Sequence, residues 1–362
     1  MSTIAVNAIT DASGGNTASI NGATPTTDST MGRNRIINGD MRIDQRNAGA
    51  SVSNAGGSTT YALDRWAYYA TSGSKFTIQQ SSTAPDGFSN SMIITSSAAT
   101  TIGAGDEYWL IQPVEGFNTA DLNWGTSGAK TVTVSFWVRS SLTGTFGGSI
   151  INGAYNYSYP FSFSISAANT WEQKSVTITA PTAGTWVGAT NGTGLRLVFS
   201  LAVGSTYGNG TVNTWQSGTY KIAPTGATNI LETNGATFYI TGVQLEAGSV
   251  ATSFERRHYG QELALCQRYY WDAKLNLTSP QKIIWGAPII GGLTGNLRSN
   301  VYYPVTMRAD PTITVVGFNT GTFISGAPYA NYPTPENAHI ILDSTTNGNY
   351  AYIYSFIASA EL

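Results

Sequence analysis

The sequence has few charges, one cysteine and two histidines. Charged residues make up 10% of its 362 residues, and the formal net charge is -2. A chain with this balance has no basic field that would attract a phosphate backbone, so we expect no nucleic-acid partner. The single cysteine, Cys266, excludes an intrachain disulfide framework and any multi-cysteine metal site.

Long apolar runs are also missing. No stretch approaches the ~18 consecutive apolar residues that a membrane-spanning helix requires. The opening residues, MSTIAVNAITDASGG, lack the basic and apolar segments of a secretory signal. We therefore expect synthesis in a cytoplasm and no insertion into a membrane.

Motifs for catalysis are equally scarce. The sequence contains no nucleophile elbow, H-E-x-x-H or Walker A motif, and His258 and His339 lie in no recognisable catalytic setting. A glycosidase needs only two carboxylates, but the sequence does not place any two at a working separation. The acids available in the central region are Asp106, Glu107, Glu115, Asp121 and Glu172. We predict no enzyme, no catalytic residue, no cofactor and no metal site.

Glycine, hydroxylated side chains and aromatic rings are abundant instead. There are 40 glycines, and aromatic residues reach 12%. From about residue 34 to residue 252, short alternating runs such as TVTVSFWVRSS and GLRLVFSLAV are separated by turns, with Asn-Gly or Asp-Gly at 38, 86, 152, 191, 209 and 234. This pattern predicts a mainly β protein, with a jelly-roll β-sandwich over residues 31–252.

The periodicity changes in TSFERRHYGQELALCQRYYW. Thr252 and Glu255 have the spacing of a capping box, which predicts one linker helix over residues 253–271. A stripe on this helix is the candidate subunit interface, and it consists of Tyr259, Leu263, Cys266 and Tyr270. Strand patterns then return over residues 272–362 and predict a smaller C-terminal β domain. Residues 1–30 are small and polar, as in an arm or anchor.

One aromatic residue lies on the polar side of a predicted strand. In KTVTVSFWVRSS, alternation places Trp137 and Arg139 opposite a valine and phenylalanine face. A flat ring beside a guanidinium suits stacking on a sugar, and packing against a neighbouring strand or subunit is the alternative. The candidate glycan-binding residues are Trp137, Arg139, Tyr155, Tyr157 and Arg196.

Several segments resemble a large family of tailed-bacteriophage virion proteins that are commonly described as tail fibres. They are NRIINGDMRIDQRNAG (34–49), YALDRW (61–66), FYITGVQLEAGSVATSFERR (238–257) and ELALCQRYY (262–270). The segments VTMRADPTITV (305–315) and FIASAEL (356–362) look like the C-terminal strand domain of such proteins. The resemblance extends from about residue 34 to the end of the sequence.

The central region is similar to jelly-roll carbohydrate-binding modules, in which a concave face or a rim holds the sugar. Those modules often carry an acid in the last strand that helps to bind a structural calcium ion. The corresponding text here is FYITGVQL, with Thr241 and Gly242 and no acid. The sequence therefore departs from the pattern at that position, and no calcium site is predicted.

The resemblance implies a virion fibre or adhesin, assembled in the host cytoplasm and usually a homotrimer. Residues 1–30 would then dock on other virion proteins, and the outer β domains would face host cell-surface polysaccharide. Two alternatives stay open at this point. One is a polysaccharide-degrading tailspike, although its usual parallel β-helix repeats are not recognisable, and the other is a purely architectural head or collar decoration.

Overall fold

The computed structural model describes residues 32–274, 283–285, 295–319, 329–344 and 351–362. The predicted arm, residues 1–30, lies outside these ranges. The chain divides into two compact units. Unit 1 comprises the described part of Met1–Arg42, with Ser51–Thr60 and Ala67–Arg256, and unit 2 comprises Ile43–Ala50, Tyr61–Trp66 and the described part of Arg257–Leu362.

Two large antiparallel sheets contain the first thirteen strands. The strands are β1 (Val52–Ser53), β2 (Thr59–Leu63), β3 (Trp66–Ala70), β4 (Phe76–Ser81), β5 (Ser91–Ser96), β6 (Glu107–Glu115), β7 (Val132–Ser140), β8 (Gly144–Asn152), β9 (Tyr157–Ile165), β10 (Glu172–Ile178), β11 (Thr193–Val203), β12 (Gln216–Ser217) and β13 (Thr237–Ala247). Their order is β1-β4-β5-β13-β7-β10 in a six-stranded sheet and β12-β9-β8-β11-β6-β3-β2 in a seven-stranded sheet. Short 3-10 turns lie at Gly116–Asn118, Ala120–Leu122 and Ile230–Glu232.

The core of unit 1 lies between the two sheets. Val132, Val134, Phe136 and Val138 alternate along β7 and are fully buried, as their spacing predicts. The ring of Phe136 meets two rings of the other sheet edge-on, Phe163 and Phe199, each at a centroid distance of 5.0 Å. The predicted fold class, mainly β with a jelly-roll β-sandwich, is confirmed.

Unit 2 contains the helix of the described chain and smaller sheets. Helix α1 spans Tyr259–Gln267, and the strands are β14 (Tyr270–Lys274), β15 (Ile283–Trp285), β16 (Gly295–Tyr302), β17 (Thr312–Asn319), β18 (Tyr329–Asn331), β19 (Asn337–Ser344) and β20 (Ala351–Ser359). β14 and β15 flank β20, which also pairs with β17, and β16 and β18 flank β19. The wider domain boundaries drawn from the sequence stay a prediction.

The helix is shorter than the predicted 253–271 because the expected capping box does not form. Thr252 instead donates its hydroxyl hydrogen to Glu246 at 2.7 Å. The Glu255 carboxylate accepts the backbone N–H groups of Gly32 and Asn34, each at 2.7 Å. These side chains fasten the end of the β13 segment within unit 1 rather than starting a helix.

Unit 2 is organised around buried ion pairs. Arg65 pairs with Glu361, and its guanidinium lies 3.6 Å above the ring of Tyr269. Arg46 also pairs with Glu361, at 2.6 Å, and lies 3.6 Å above the ring of Tyr270. The arginines belong to the DQRN and LDRW segments, the tyrosines to QRYY and the acid to AEL. Motifs distant in sequence therefore meet in one core, which gives them a structural role.

Candidate functional site

Trp137 lies on the outer face of the six-stranded sheet. Its neighbours in register are Thr241 on β13 and Gln173 on β10. The indole is half-buried, whereas Phe136 and Val138 on either side of it are fully buried. The ring therefore projects from the sheet face that does not form the sandwich core.

Arg139 occupies the same face, two residues further along β7. Its Nε donates to the carbonyl oxygen of Asn169 at 2.9 Å, which fixes the guanidinium 5.1 Å from the ring centroid of Tyr239. The Tyr239 ring in turn meets Trp171 edge-on at 5.9 Å. The terminal amino groups of Arg139 donate to no acceptor within the described ranges, so they are available to a ligand.

A bulge in β13 brings another ring to this surface. The register of β13 against β7 shifts between Thr241 and Gln244, and Gly242 has a φ of +60°. A Cβ atom at Gly242 would lie 2.7 Å from the Phe88 ring and 3.1 Å from Cδ1 of Trp137. We call this surface the aromatic face and define it by Phe88, Trp137, Arg139, Trp171 and Tyr239.

A row of side chains crosses the aromatic face at right angles to the strands. Gln79, Ile93, Tyr239 and Arg139 are register partners on β4, β5, β13 and β7, and all four are half-buried. With neighbouring strands ~4.8 Å apart, the row is about 14 Å long. The sheet therefore presents a rigid, extended surface of rings, amide and guanidinium groups.

Arg196 lies on β11 of the seven-stranded sheet instead, and Tyr155 lies beside it in the turn between β8 and β9. The Arg196 guanidinium lies 3.9 Å above the Tyr155 ring and donates to the carbonyl oxygen of Gly153 at 2.8 Å. Tyr155 is 5.3 Å from the ring of Tyr220, whose hydroxyl donates to the Glu107 carboxylate at 2.8 Å. Burial raises the pKa of Glu107, although the hydrogen bond from Tyr220 opposes this.

Tyr157 belongs to a third group, at the edge of the sandwich. Its ring is stacked on Trp215 at 5.3 Å, and Trp215 meets Trp186 edge-on at 5.4 Å. The indole N–H groups of Trp186 and Trp215 donate to the carbonyl oxygens of Ala183 and Thr179, at 3.0 and 2.7 Å. These rings fasten loops to the sandwich.

The five candidate glycan-binding residues therefore occupy three places, and their role stays a prediction. The structure brings together Trp137 with Arg139, and Tyr155 with Arg196. The sequence analysis did not single out Phe88 or Tyr239. Alternation in TFYITG was the available signal for Tyr239, because Phe238 and Ile240 on either side of it are fully buried.

Most acids that the sequence offered for a glycosidase have structural partners. Asp121 forms a bidentate pair with Arg35, at 2.7 and 2.6 Å. Lys174 pairs with Glu172 at 2.6 Å and lowers the pKa of that carboxyl to about 2. Among the described residues, no group of three or more His, Cys, Asp or Glu side chains could hold a metal ion.

The interface stripe predicted on the helix is only partly accessible in one chain, and its last member, Tyr270, lies in β14 because α1 ends at Gln267. Tyr259 is 55% exposed and Leu263 is half-buried, whereas Cys266 and Tyr270 are buried. Burial raises the pKa of the Cys266 thiol well above its ordinary value. Of the stripe, only Tyr259 and Leu263 could contact a partner, so this interface also stays a prediction.

In the described part of the chain, no helix combines the length and apolarity that a membrane crossing requires.

Comparisons with known proteins found structural similarity but no family. No protein family and no curated protein matches the sequence. A protein from Bacteroides thetaiotaomicron proposed to bind sugar is similar over 60% of this chain and 100% of its own, with 12% identity and a TM-score of 0.35. A family 11 carbohydrate-binding module from Clostridium thermocellum, solved with a mixed-linked tetrasaccharide, is similar over 56% of this chain and 100% of its own, with 12% identity and a TM-score of 0.28.

The enzymatically active domain of tailspike protein 4 from bacteriophage CBA120 is also similar, with 11% identity and a TM-score of 0.30. The match covers 59% of this chain but only 21% of the tailspike chain. With TM-scores below 0.5, these similarities identify no family and assign no ligand.

Proposed function

We propose that this protein is a non-enzymatic fibre or adhesin of a tailed-bacteriophage particle, and that it binds host surface polysaccharide through the aromatic face. The observation that carries the proposal is the placement of Trp137, Tyr239 and Arg139 side by side on an outer sheet surface. The resemblance of the terminal and connecting motifs to virion fibres supports the rest of it.

The chemistry of the aromatic face suits a hydroxyl-rich chain. Flat rings stack on the apolar faces of sugar rings, while guanidinium and amide groups bond to hydroxyls. The row from Gln79 to Arg139 extends about 14 Å across four strands, so it would contact several consecutive sugar units. A sheet holds such groups more rigidly than loops do.

The assembly that we propose is a homotrimer, joined to other virion proteins through residues 1–30. Five of the seven large apolar side chains exposed in the described chain belong to unit 2: Tyr259, Tyr302, Val316, Tyr329 and Tyr332. An uneven distribution of exposed apolar groups is typical of a protein that has partners. It supports contacts between subunits through unit 2.

The test is Trp137→Ala, assayed by binding to purified host polysaccharide and by thermal unfolding. We expect at least a tenfold loss of affinity with little change in Tm, because the ring is half-buried outside the core. The control is Val134→Ala, at a fully buried position on the same strand, which should lower stability by roughly 1–3 kcal/mol and keep binding.

Two other results would contradict this proposal. If Trp137→Ala lost roughly 3–5 kcal/mol of stability and kept its affinity, the ring would be structural. Release of reducing sugars from the polysaccharide would contradict the non-enzymatic part, and absence of all glycan binding would leave an architectural role.

A further inference from the structure

A small cavity lies at the edge of the sandwich, in unit 1. It has a volume of about 60 Å³, and its lining includes Asn123, Trp124, Trp186, Val187 and Gly188. None of its lining residues carries a charge. The cavity combines aromatic walls with a side-chain amide and bare backbone, a combination that suits a small ligand with both apolar and hydroxyl groups.

Hydrogen bonds hold both walls of the cavity in place. On one side, the backbone N–H of Lys130 donates to the carbonyl oxygen of Leu122 at 2.8 Å. The indole N–H of Trp124 donates to the carbonyl oxygen of Lys130, also at 2.8 Å. On the other side the N–H of Phe117 donates to the carbonyl oxygen of Thr190 at 2.9 Å. A cavity with fixed walls binds with a small entropic cost of ordering.

Two groups in the cavity are available to a ligand. The Trp186 ring lies 4.7 Å from Trp124, at 73°, and it is half-buried with its N–H already bonded to Ala183. Its N–H is therefore occupied, and a ligand in the cavity would contact the ring itself. Asn123 is exposed, and its side-chain amide makes no hydrogen bond with a described residue.

The size of the cavity limits the ligand to one ring. A single water needs about 10–15 Å³ of cavity volume, so a cavity of about 60 Å³ has room for about four to six waters. That space is close to the volume of one hexose and too small for a longer segment. The absence of lining charges favours a neutral ligand, because a charged one would lose hydration without gaining a partner.

We propose that this cavity binds a single neutral sugar residue, such as a chain end or a side branch of the host polysaccharide. The inference rests on the proposed function for the class of ligand, but the site is separate from the aromatic face. Trp124 is fastened to Lys130, two residues before β7 begins at Val132. Trp137 lies five residues further along that strand, about 17 Å from Val132.

Gly188 allows the cavity to be blocked without disturbing the fold. A Cβ atom at Gly188 would meet no atom within 4 Å. Because Gly188 also lines the cavity, Gly188→Leu should place a side chain at the cavity without a clash, obstruct ligand entry and leave the Tm unchanged. Gly105→Leu is the matched control, because Gly105 also has open space around a Cβ atom and does not line the cavity.

The measurement is indole NMR of the full chain during titration with methyl glycosides of neutral hexoses and N-acetylhexosamines. We expect one of them to shift the Trp186 signal in the wild type and in Gly105→Leu, with at least tenfold weaker binding in Gly188→Leu. Asn123→Gly is a second variant, since glycine accepts the φ of +52° at this position and removes the amide. It should weaken binding several-fold.

The proposal is overturned if no neutral glycoside shifts Trp186, if only glucuronic or sialic acid does, or if Gly188→Leu binds as the wild type does. Polysaccharide binding by Trp137→Ala separates the two proposals. If Trp137→Ala still binds the polysaccharide, and only Gly188→Leu abolishes the Trp186 response to the glycoside, the role of the aromatic face is refuted and the sugar site in the cavity is supported. If Trp137→Ala loses polysaccharide binding, and no variant shows a Trp186 response, the role of the aromatic face is supported and the sugar site in the cavity is refuted.

Discussion

A buried carboxyl, Asp64, makes the stability of unit 2 depend on pH. It accepts two hydrogen bonds from Gln45, from the backbone N–H at 2.7 Å and from Nε2 at 2.5 Å. Burial raises its pKa from 3.8 to about 6, although Arg46 and the bonds from Gln45 act in the opposite direction. The folded state therefore holds the proton at pH values where the unfolded chain has released it.

The sign of the effect follows from this difference. Between pH ~4 and ~6 the folded state binds more protons than the unfolded state, so the contribution of Asp64 to stability decreases as the pH rises and stays lost above pH 6. Asp64→Asn cannot titrate. We expect the free energy of unfolding of the wild type to fall relative to this variant by up to about 3 kcal/mol across that window.

Urea unfolding at a series of pH values measures this difference. Asp86→Asn, at an exposed position, is the control for the change in net charge. Parallel profiles for the wild type and Asp64→Asn would show that Asp64 does not titrate in this range.

At the scale of a single element, the bulge in β13 sets the shape of the aromatic face. Gly242 has a φ of +60°, and a Cβ atom there would collide with the ring of Phe88 and press on that of Trp137. We expect Gly242→Ala to lower stability by roughly 1–3 kcal/mol and to weaken polysaccharide binding, because the rings must move apart.

Gly235 provides the control that separates backbone strain from ring displacement. It has a similar φ of +74°, but a Cβ atom there would meet nothing within 4 Å. Gly235→Ala should lose stability in chemical denaturation and keep its affinity for polysaccharide. Equal affinity in both variants would mean that the bulge has no part in binding.

At the scale of the whole molecule, the proposed trimer can be tested through α1. Tyr259 is exposed and Cys266 is buried within the chain, so a contact between subunits would use the first turn of the helix. We expect light scattering to give about three times the chain mass of 38.3 kDa, and Tyr259→Glu to dissociate this assembly. Gln261→Glu, exposed on the same helix, should leave the mass unchanged. A wild-type monomer would refute the trimer.

Much of the fold was predictable because local periodicity reports which face of an element is buried. The alternation of β7 determines that Val134 and Phe136 enter the core and that Trp137 does not, whatever strands lie beside it. The same reasoning determined the fold class, since many short alternating runs between turn residues can bury their apolar faces only by packing sheets together. The bounds of α1 were less predictable, because Thr252 bonds back to Glu246 on β13 and Glu255 bonds to Asn34, which is 221 residues away.

Only the tertiary structure decided which candidate residues share a surface. Tyr239 lies beside Arg139 because β13 pairs with β7 although about a hundred residues separate them, whereas Arg196 lies on the other sheet. Likewise, Glu361 meets Arg46 and Arg65 across some 300 residues. Periodicity carries the direction of a side chain but not the identity of its neighbour. Strand order and register, which depend on the free energy of the whole packed core, determine that neighbour.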